Sequence, residues 1–144
     1  MRILLDTSVF VVAMVQGHPA HALALPWLQR LRVGTDTGLV AAHSLAETYA
    51  ILTKLPVQPR ISPAVAQQLI KHNILDVCEV VFLSDKDYVA LIEHLSQLGI
   101  VGGAIYDALI LHAAAIANAD QVVTLNERDF RRVYPSLDHK IISP

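Results

Sequence analysis

The chain has 144 residues, 53 % hydrophobic and 17 % charged, proportions that suit a globular domain with a sizeable core and exclude a disordered chain. A formal net charge of −2 excludes the overall basic footprint of a protein that holds nucleic acid by bulk charge, so any such contact needs a local patch or bound cations. No apolar run reaches the ~20 residues of a membrane helix. The single cysteine, Cys78, has no internal disulfide partner, which fits a reducing cytoplasm.

In chain order, Arg2 to Asp6 (RILLD) is a short apolar run suited to a buried parallel strand. It is too short, and too soon followed by an acid, for a secretory segment. Helical spacing follows from Pro19 to Leu31, with Ala22, Leu25, Leu28 and Leu31 on one stripe. GLVAAH (38–43) reads as a second strand, and Ser44 to Lys54 as a helix ended by Leu55-Pro56. After a proline-punctuated loop, a helix is predicted from Ser62 or Pro63 to His72, with Ser62 as N-cap and Pro63 at the first helical position. CEVVFLS (78–84) is a third strand, Lys86 to Gly99 a helix closed by its glycine, and Ala104 to Asn118 a helix apolar on nearly every side. DQVVTLN (120–126) is a fourth strand and KIIS (140–143) a short last one. No repeat, low-complexity tract or internal linker interrupts the pattern, and residues 1–144 read as a single domain.

Strands alternating with helices predict an α/β fold in three layers: a central parallel sheet of four to five strands with helices on both faces. Ligands of such sheets bind beyond the carboxyl ends of the strands. The acids of interest gather there. Asp6 ends the first strand, Glu47 lies on the helix after the second, Asp107 opens the helix that feeds the fourth, and Asn126 and Asp129 follow the fourth.

Each acid also has an ordinary reading. Asp107 sits well in a helix's first turn, where the macrodipole contributes a few tenths of a kcal/mol. Glu47 completes a capping box if Ser44 is the N-cap, and Asp129 is a solvated acid beside Arg128. Together they ask for more. Two carboxylates ~5 Å apart repel by ~3 kcal/mol at an effective dielectric of ~20, so a cluster takes up protons or binds a cation. Oxygen ligands without cysteine suit Mg²⁺ or Mn²⁺, and such an ion meeting phosphate oxygens is the setting for hydrolysis of a phosphodiester.

Four stretches in order also carry a family resemblance: LLDTSVF around Asp6, HSLAETYAIL around Glu47, GGAIYDALI around Asp107, and VVTLNERDF around Asn126 and Asp129. Over nearly its full length the chain resembles the PIN-domain ribonucleases, in particular the VapC-type toxins of bacterial toxin–antitoxin pairs. The resemblance implies a Mg²⁺- or Mn²⁺-dependent endoribonuclease in which water attacks phosphorus, leaving a 5′-phosphate and a 3′-hydroxyl. It implies that Asp6 and Asp107 carry the primary metal, with Glu47 and Asp129 completing the pocket or a second site. The common fourth motif has an acid or amide where Asn126 stands and an Asp-Phe pair soon after, so either Asn126 or Asp129 is the fourth ligand. Homodimers and a cognate antitoxin are implied as well. Around the acids, Thr7, Ser8, Thr124 and Asn126 are candidate supports for the carboxylates or the phosphate, or simply turn and cap groups. Arg128, Arg131 and Arg132 are candidate RNA-backbone contacts, or a solvated basic helix face.

Other features point less far. His43 ends the second predicted strand near the site, as a structural histidine or a participant. HPAH (18–21) lacks the further ligands of a zinc site, and Gly102-Gly103 lacks the lysine and hydroxyl of a phosphate-binding loop. Apolar faces including Ala46, Ala50, Ile51 and Leu69 predict a two-fold dimer. A phosphatase with an aspartyl nucleophile is the rival enzyme, but its strand end should read Asp-x-Asp rather than Asp6-Thr7-Ser8. The rival outside catalysis is a PIN-like RNA-binding or interaction module with a silent site.

Overall fold

Alternation along the strands decides which helices cover which face. In the computed structural model, which describes all 144 residues, β1 (Arg2–Leu5), β2 (Thr37–Ala41), β3 (Cys78–Val81), β4 (Gln121–Val123) and β5 (Ile141–Ile142) form one parallel sheet in the order β3-β2-β1-β4-β5. Successive side chains of a strand point to opposite faces. Ile3, Leu5, Val40 and Val123 therefore enter one core, under α1 (Thr7–Met14), α2 (His21–Arg32), α3 (Ala42–Lys54) and α4 (Pro63–Ile70). Leu4, Leu39, Ala41 and Val122 enter the other, under α5 (Asp85–Leu98), α6 (Ala104–Ile116) and α7 (Glu127–Val133). The two cores hold 16 and 17 buried residues, so both faces are covered, as an all-parallel sheet requires. The predicted three-layer α/β fold is the one observed.

Local chemistry sets the helix ends. The Ser84 hydroxyl accepts the Asp87 N–H at 3.1 Å while Asp87 Oδ2 accepts the Ser84 N–H at 2.8 Å, a reciprocal cap that starts α5. Gly99 ends α5 at φ 67°, a conformation that is costly for residues with a Cβ. Ser62 caps α4 ahead of Pro63, as predicted. Gly38 in β2 serves close approach instead: a Cβ there would stand 2.8 Å from both Cys78 Sγ and Leu31 Cδ1.

Several elements differ from the sequence reading. α1 follows β1 without a loop where no helix was predicted, because its residues Val9 to Ala13 are all buried and show no polar side. α7 has no range in the sequence reading, which offers a helix there only as one account of Arg128, Arg131 and Arg132; its seven residues span too few turns for a periodic stripe. The helix predicted from Pro19 begins at His21, and the one predicted to end at His72 passes into a π-helical turn over Lys71–Leu75. The second strand ends at Ala41, so His43 lies in the first turn of α3 and not on the strand. Ser44 is then inside the helix rather than capping it, and Glu47 falls on the second turn, which removes the capping-box reading of Glu47.

Strand order reverses at β1, with β2 and β3 on one side and β4 and β5 on the other. The crevice at that switch point, beyond the carboxyl ends of β1 and β4, is where this architecture binds ligands.

Candidate metal centre

Asp6 stands at the switch point. Its N–H bonds Val123 O at 3.0 Å, carrying the β1–β4 pairing one residue past the strand. Its side chain does not cap α1. Instead Oδ2 accepts the Ser8 hydroxyl at 2.6 Å and the Thr124 hydroxyl at 2.9 Å. Each hydroxyl accepts in turn from the backbone after β4: Leu125 N–H to Ser8 at 3.2 Å, Asn126 N–H to Thr124 at 3.0 Å. The two donors share one oxygen, and neither reaches Oδ1. Burial pushes the Asp6 carboxyl above its ordinary range, and these hydroxyls, with the backbone N–H groups of Thr7 and Ser8, pull it only part of the way back.

Glu47 arrives from α3. Burial and then the charge of Asp6 push its carboxyl up, opposed by the nearby Thr7 hydroxyl; that hydroxyl is buried and not aligned for a hydrogen bond. One turn earlier on the same helix, His43 brings Nε2 to 3.0 Å from Glu47 Oε1, again without hydrogen-bond alignment. Burial holds the His43 imidazole below its ordinary value, so at neutral pH this contact is not an ion pair.

Asp107 arrives from the first turn of α6, and its carboxyl is pushed up to about 6. Burial is the largest cause, followed by the negative charges of Asp6, Glu47 and Asp129, with Arg132 pulling the other way. A helix-start acid in isolation would be shifted down, not up. Four elements separated in sequence thus bring their carboxylates within electrostatic reach of one another. The half-buried Asp129 comes from the first turn of α7. Asn126, exposed at the N-cap of α7, makes no side-chain cap bond.

This donor set fits a hard divalent cation. It offers carboxylate oxygens, and its mutual repulsion is relieved by positive charge. No three Asp, Glu, His or Cys side chains converge closely enough to enclose an ion alone, so an ion held here would keep part of its shell as water.

The three arginines separate. Arg131 spends its guanidinium on the fold, donating to Glu127 Oε2 at 2.8 Å, Asp138 Oδ1 at 2.8 Å, Asp138 O at 2.6 Å and Ile141 O at 2.7 Å. These bonds clamp α7 to β5 and leave Arg131 the least free of the three for an RNA backbone. Arg128 and Arg132 are exposed and make no such bonds, and Arg132 is close enough to influence Asp107. HPAH is structural, as read: His18 Nδ1 accepts the Ala20 N–H at 3.1 Å, and His21 Nδ1 meets Val12 O at 2.9 Å.

Sequence reasoning passed over Tyr106, whose ring stacks on His43 with centroids 5.2 Å apart. The available signal was an aromatic beside Asp107 at the open end of an otherwise aliphatic helix.

A family model described as PIN domain matches residues 3–135. The chain is similar to ribonuclease VapC27 of Mycobacterium tuberculosis, 35 % identical over 126 residues covering 88 % of this chain and 83 % of that one. It is similar to ribonuclease VapC40 of the same species, 34 % identical over 134 residues covering 89 % and 87 %. Among solved structures, that of VapBC2 from Rickettsia felis bound to a promoter DNA fragment superposes with a TM-score of 0.69 at 24 % identity, covering 100 % of this chain and 99 % of that one, a likeness of fold.

Proposed function

The chain belongs to the PIN-domain family, and from that premise we propose that it is a divalent-metal-dependent endoribonuclease, the toxin of a toxin–antitoxin pair. One observation carries the reading: Asp6 at the end of β1, Glu47 of α3, Asp107 of α6 and Asp129 of α7 share one sheet edge, where burial and then the charges of the other three hold Asp107 at about 6. The ribonucleases it resembles supply the substrate class.

In this reading Asp6 and Asp107 hold Mg²⁺ or Mn²⁺, with Glu47 and Asp129 completing the pocket. The cation supplies charge neutralisation and a means of activating water for attack on phosphorus. The chain's own groups do the rest. Ser8 and Thr124 fix the Asp6 carboxylate, so its orientation is set before any ligand arrives. Arg132, and more peripherally Arg128, present unpaired positive charge to the flanking phosphates. Asn126 takes part through its backbone, and Asp129 is the better fourth carboxylate because Asp107 already feels its charge. A homodimer and a cognate antitoxin that covers the acidic groove belong to the same proposal. No helix is long and apolar enough to cross a membrane. A cytoplasmic location belongs to the same proposal, supported by the likeness to the VapC ribonucleases.

The test is cleavage of RNA by the purified protein with Mn²⁺ or Mg²⁺, abolished by EDTA. Cleavage that persists in excess chelator would overturn the metal mechanism. RNA binding without cleavage at saturating Mn²⁺ would favour a silent PIN-like binding module.

A further inference from the structure

The rings of Tyr106 and His43 lie 5° from parallel with centroids 5.2 Å apart. Tyr106 immediately precedes Asp107 on α6, and His43 precedes Glu47 by one turn on α3. The stack therefore bridges two helices directly beside two of the four carboxylates. A tyrosine whose task was only to join α3 to α6 would be buried between them. Tyr106 is instead 52 % exposed. His43 covers one face of its ring, and no other ring or cation stacks on it. The contrast with Tyr134 is direct: that ring is partly buried between two histidines, with its hydroxyl 3.0 Å from His112 Nδ1.

An open aromatic face at the rim of a site that handles a phosphodiester matches the chemistry of an unpaired base. Single-stranded RNA is held by stacking of splayed bases on aromatic side chains while charge tracks the backbone. A base paired and stacked within a duplex has no free face to offer. We propose that Tyr106, braced by His43, is the stacking platform for the nucleobase adjoining the phosphodiester at the carboxylates, so that the site takes unpaired RNA. This rests on the endoribonuclease reading and adds to it a base-binding subsite. Stacking is tolerant of base identity, so the platform selects for an accessible base rather than a particular one. His43 is a positioning residue that sets the tilt of the tyrosine ring.

Two ten-nucleotide probes of equal charge test the platform: single-stranded oligo(A) and its abasic counterpart, titrated by fluorescence anisotropy with Ca²⁺, their integrity checked on a gel. The wild type should prefer oligo(A), and Tyr106→Ala should weaken oligo(A) binding roughly tenfold while leaving the abasic probe and Mn²⁺ affinity unchanged. Tyr106→Phe should retain the preference, because the ring and not the hydroxyl carries it. His43→Ala should show a smaller loss in the same direction. Tyr106→Ala that binds both probes like the wild type, or Tyr106→Phe that loses as much as Tyr106→Ala, would overturn the platform. A wild type that cleaves RNA with Mn²⁺ but binds both probes equally would remove the platform and leave the nuclease. Neither binding nor cleavage would sink the nuclease reading, and the platform with it.

Discussion

Thr124 donates its hydroxyl to Asp6 Oδ2 at 2.9 Å across the seam where β4 pairs with β1. Both groups are buried, Thr124 completely, so water cannot replace the bond. Thr124→Val keeps the shape and the β-branch while removing the hydroxyl from Asp6 and from the Asn126 N–H it accepts. The expected cost is about 1–2 kcal/mol of stability, read as a lower Tm. Mn²⁺ affinity should also fall at least tenfold, as when a group orienting a metal ligand is removed. Ser8→Ala should cost less stability, since Ser8 is only half-buried. Calorimetric titration with Mn²⁺ decides the matter: a Thr124→Val protein that binds the ion like the wild type would make this hydroxyl a structural group only.

Asp107 is destabilised as a carboxylate by burial and by its three acidic neighbours. Removing its charge should relieve repulsion, so Asp107→Asn should melt higher than the wild type in EDTA. Saturating Mn²⁺ should narrow or reverse the order, because the wild type gains RT ln(1 + [L]/Kd) and the variant gains less. RNA cleavage should be lost throughout. Paired thermal melts read both signs, and a variant that melts lower in EDTA while gaining as much from Mn²⁺ would reduce Asp107 to a helix-start acid.

The same charge predicts a dependence on pH. Asp107 titrates at about 6 when folded against 3.8 as an unperturbed carboxyl. Between these values the folded state holds a proton that the unfolded chain has lost, so this group's destabilising effect is full above pH 6 and disappears as pH falls toward 3.8. His43 acts oppositely: burial disfavours its charged form, so it has no effect at high pH and destabilises the fold as pH falls below 6.5. Asp36, held low by the N-terminus and Arg30 despite its burial, gives up its contribution only as pH falls below 3.8. Comparing proteins cancels these other groups. In EDTA, the Tm advantage of Asp107→Asn over the wild type should be nearly constant from pH 7.5 until pH nears 6, then shrink toward pH 5. An advantage that holds constant over this range would show that Asp107 titrates at an ordinary value.

The convergence of acids was legible in the sequence for a geometric reason. In a parallel sheet every strand ends at the same edge, so an acid just after β1 and others around β4 must share a crevice whatever the loops do. Side-chain partnership was not legible in that way. Arg131 and Arg132 are adjacent in the chain, and only the packing of α7 beside β5 turns one into a clamp and leaves the other free. α1 was hidden because burial on all sides erases the polar stripe by which periodicity is recognised. GLVAAH continues without punctuation and so reads as strand through His43, whereas β2 ends at Ala41 and α3 begins at Ala42. The stack of His43 on Tyr106 joins positions 63 residues apart, and no local pattern encodes that contact.

Exposed apolar side chains on α3 and α4 predict self-association. Tyr49 is 43 % exposed, Ile51 38 % and Val65 46 %, and Ala46 and Ala50 on α3 are exposed small residues. A two-fold dimer is the simplest closed arrangement for such a face. Light scattering at micromolar concentration should give twice the mass of 15.7 kDa, and Ile51→Glu should shift the population toward monomer. A wild-type monomer at that concentration would contradict the prediction.

The neighbouring arginines of α7 should fail in different ways when shortened. Arg131 donates to Glu127, Asp138 and the Ile141 carbonyl, so Arg131→Ala frees the end of α7 from β5. Because the guanidinium is partly exposed, the ion pairs themselves contribute little; the bonds to the carbonyls of Asp138 and Ile141 are the larger loss, and Tm should fall by a few degrees. Arg132 forms no ion pair, so Arg132→Ala should leave Tm nearly unchanged in Mn²⁺. It also moderates the repulsion around Asp107, and in EDTA its loss should lower Tm slightly. RNA affinity reverses the ranking. Arg132→Ala should weaken binding for all sequences alike and reduce the slope of log K against log salt by about one phosphate contact, whereas Arg131→Ala, measured below its melting point, should leave that slope intact. The readout is RNA titration at four salt concentrations for each variant. A slope that changes for Arg131→Ala and not for Arg132→Ala would reverse the assignment, placing the phosphate contact on the residue the fold already uses.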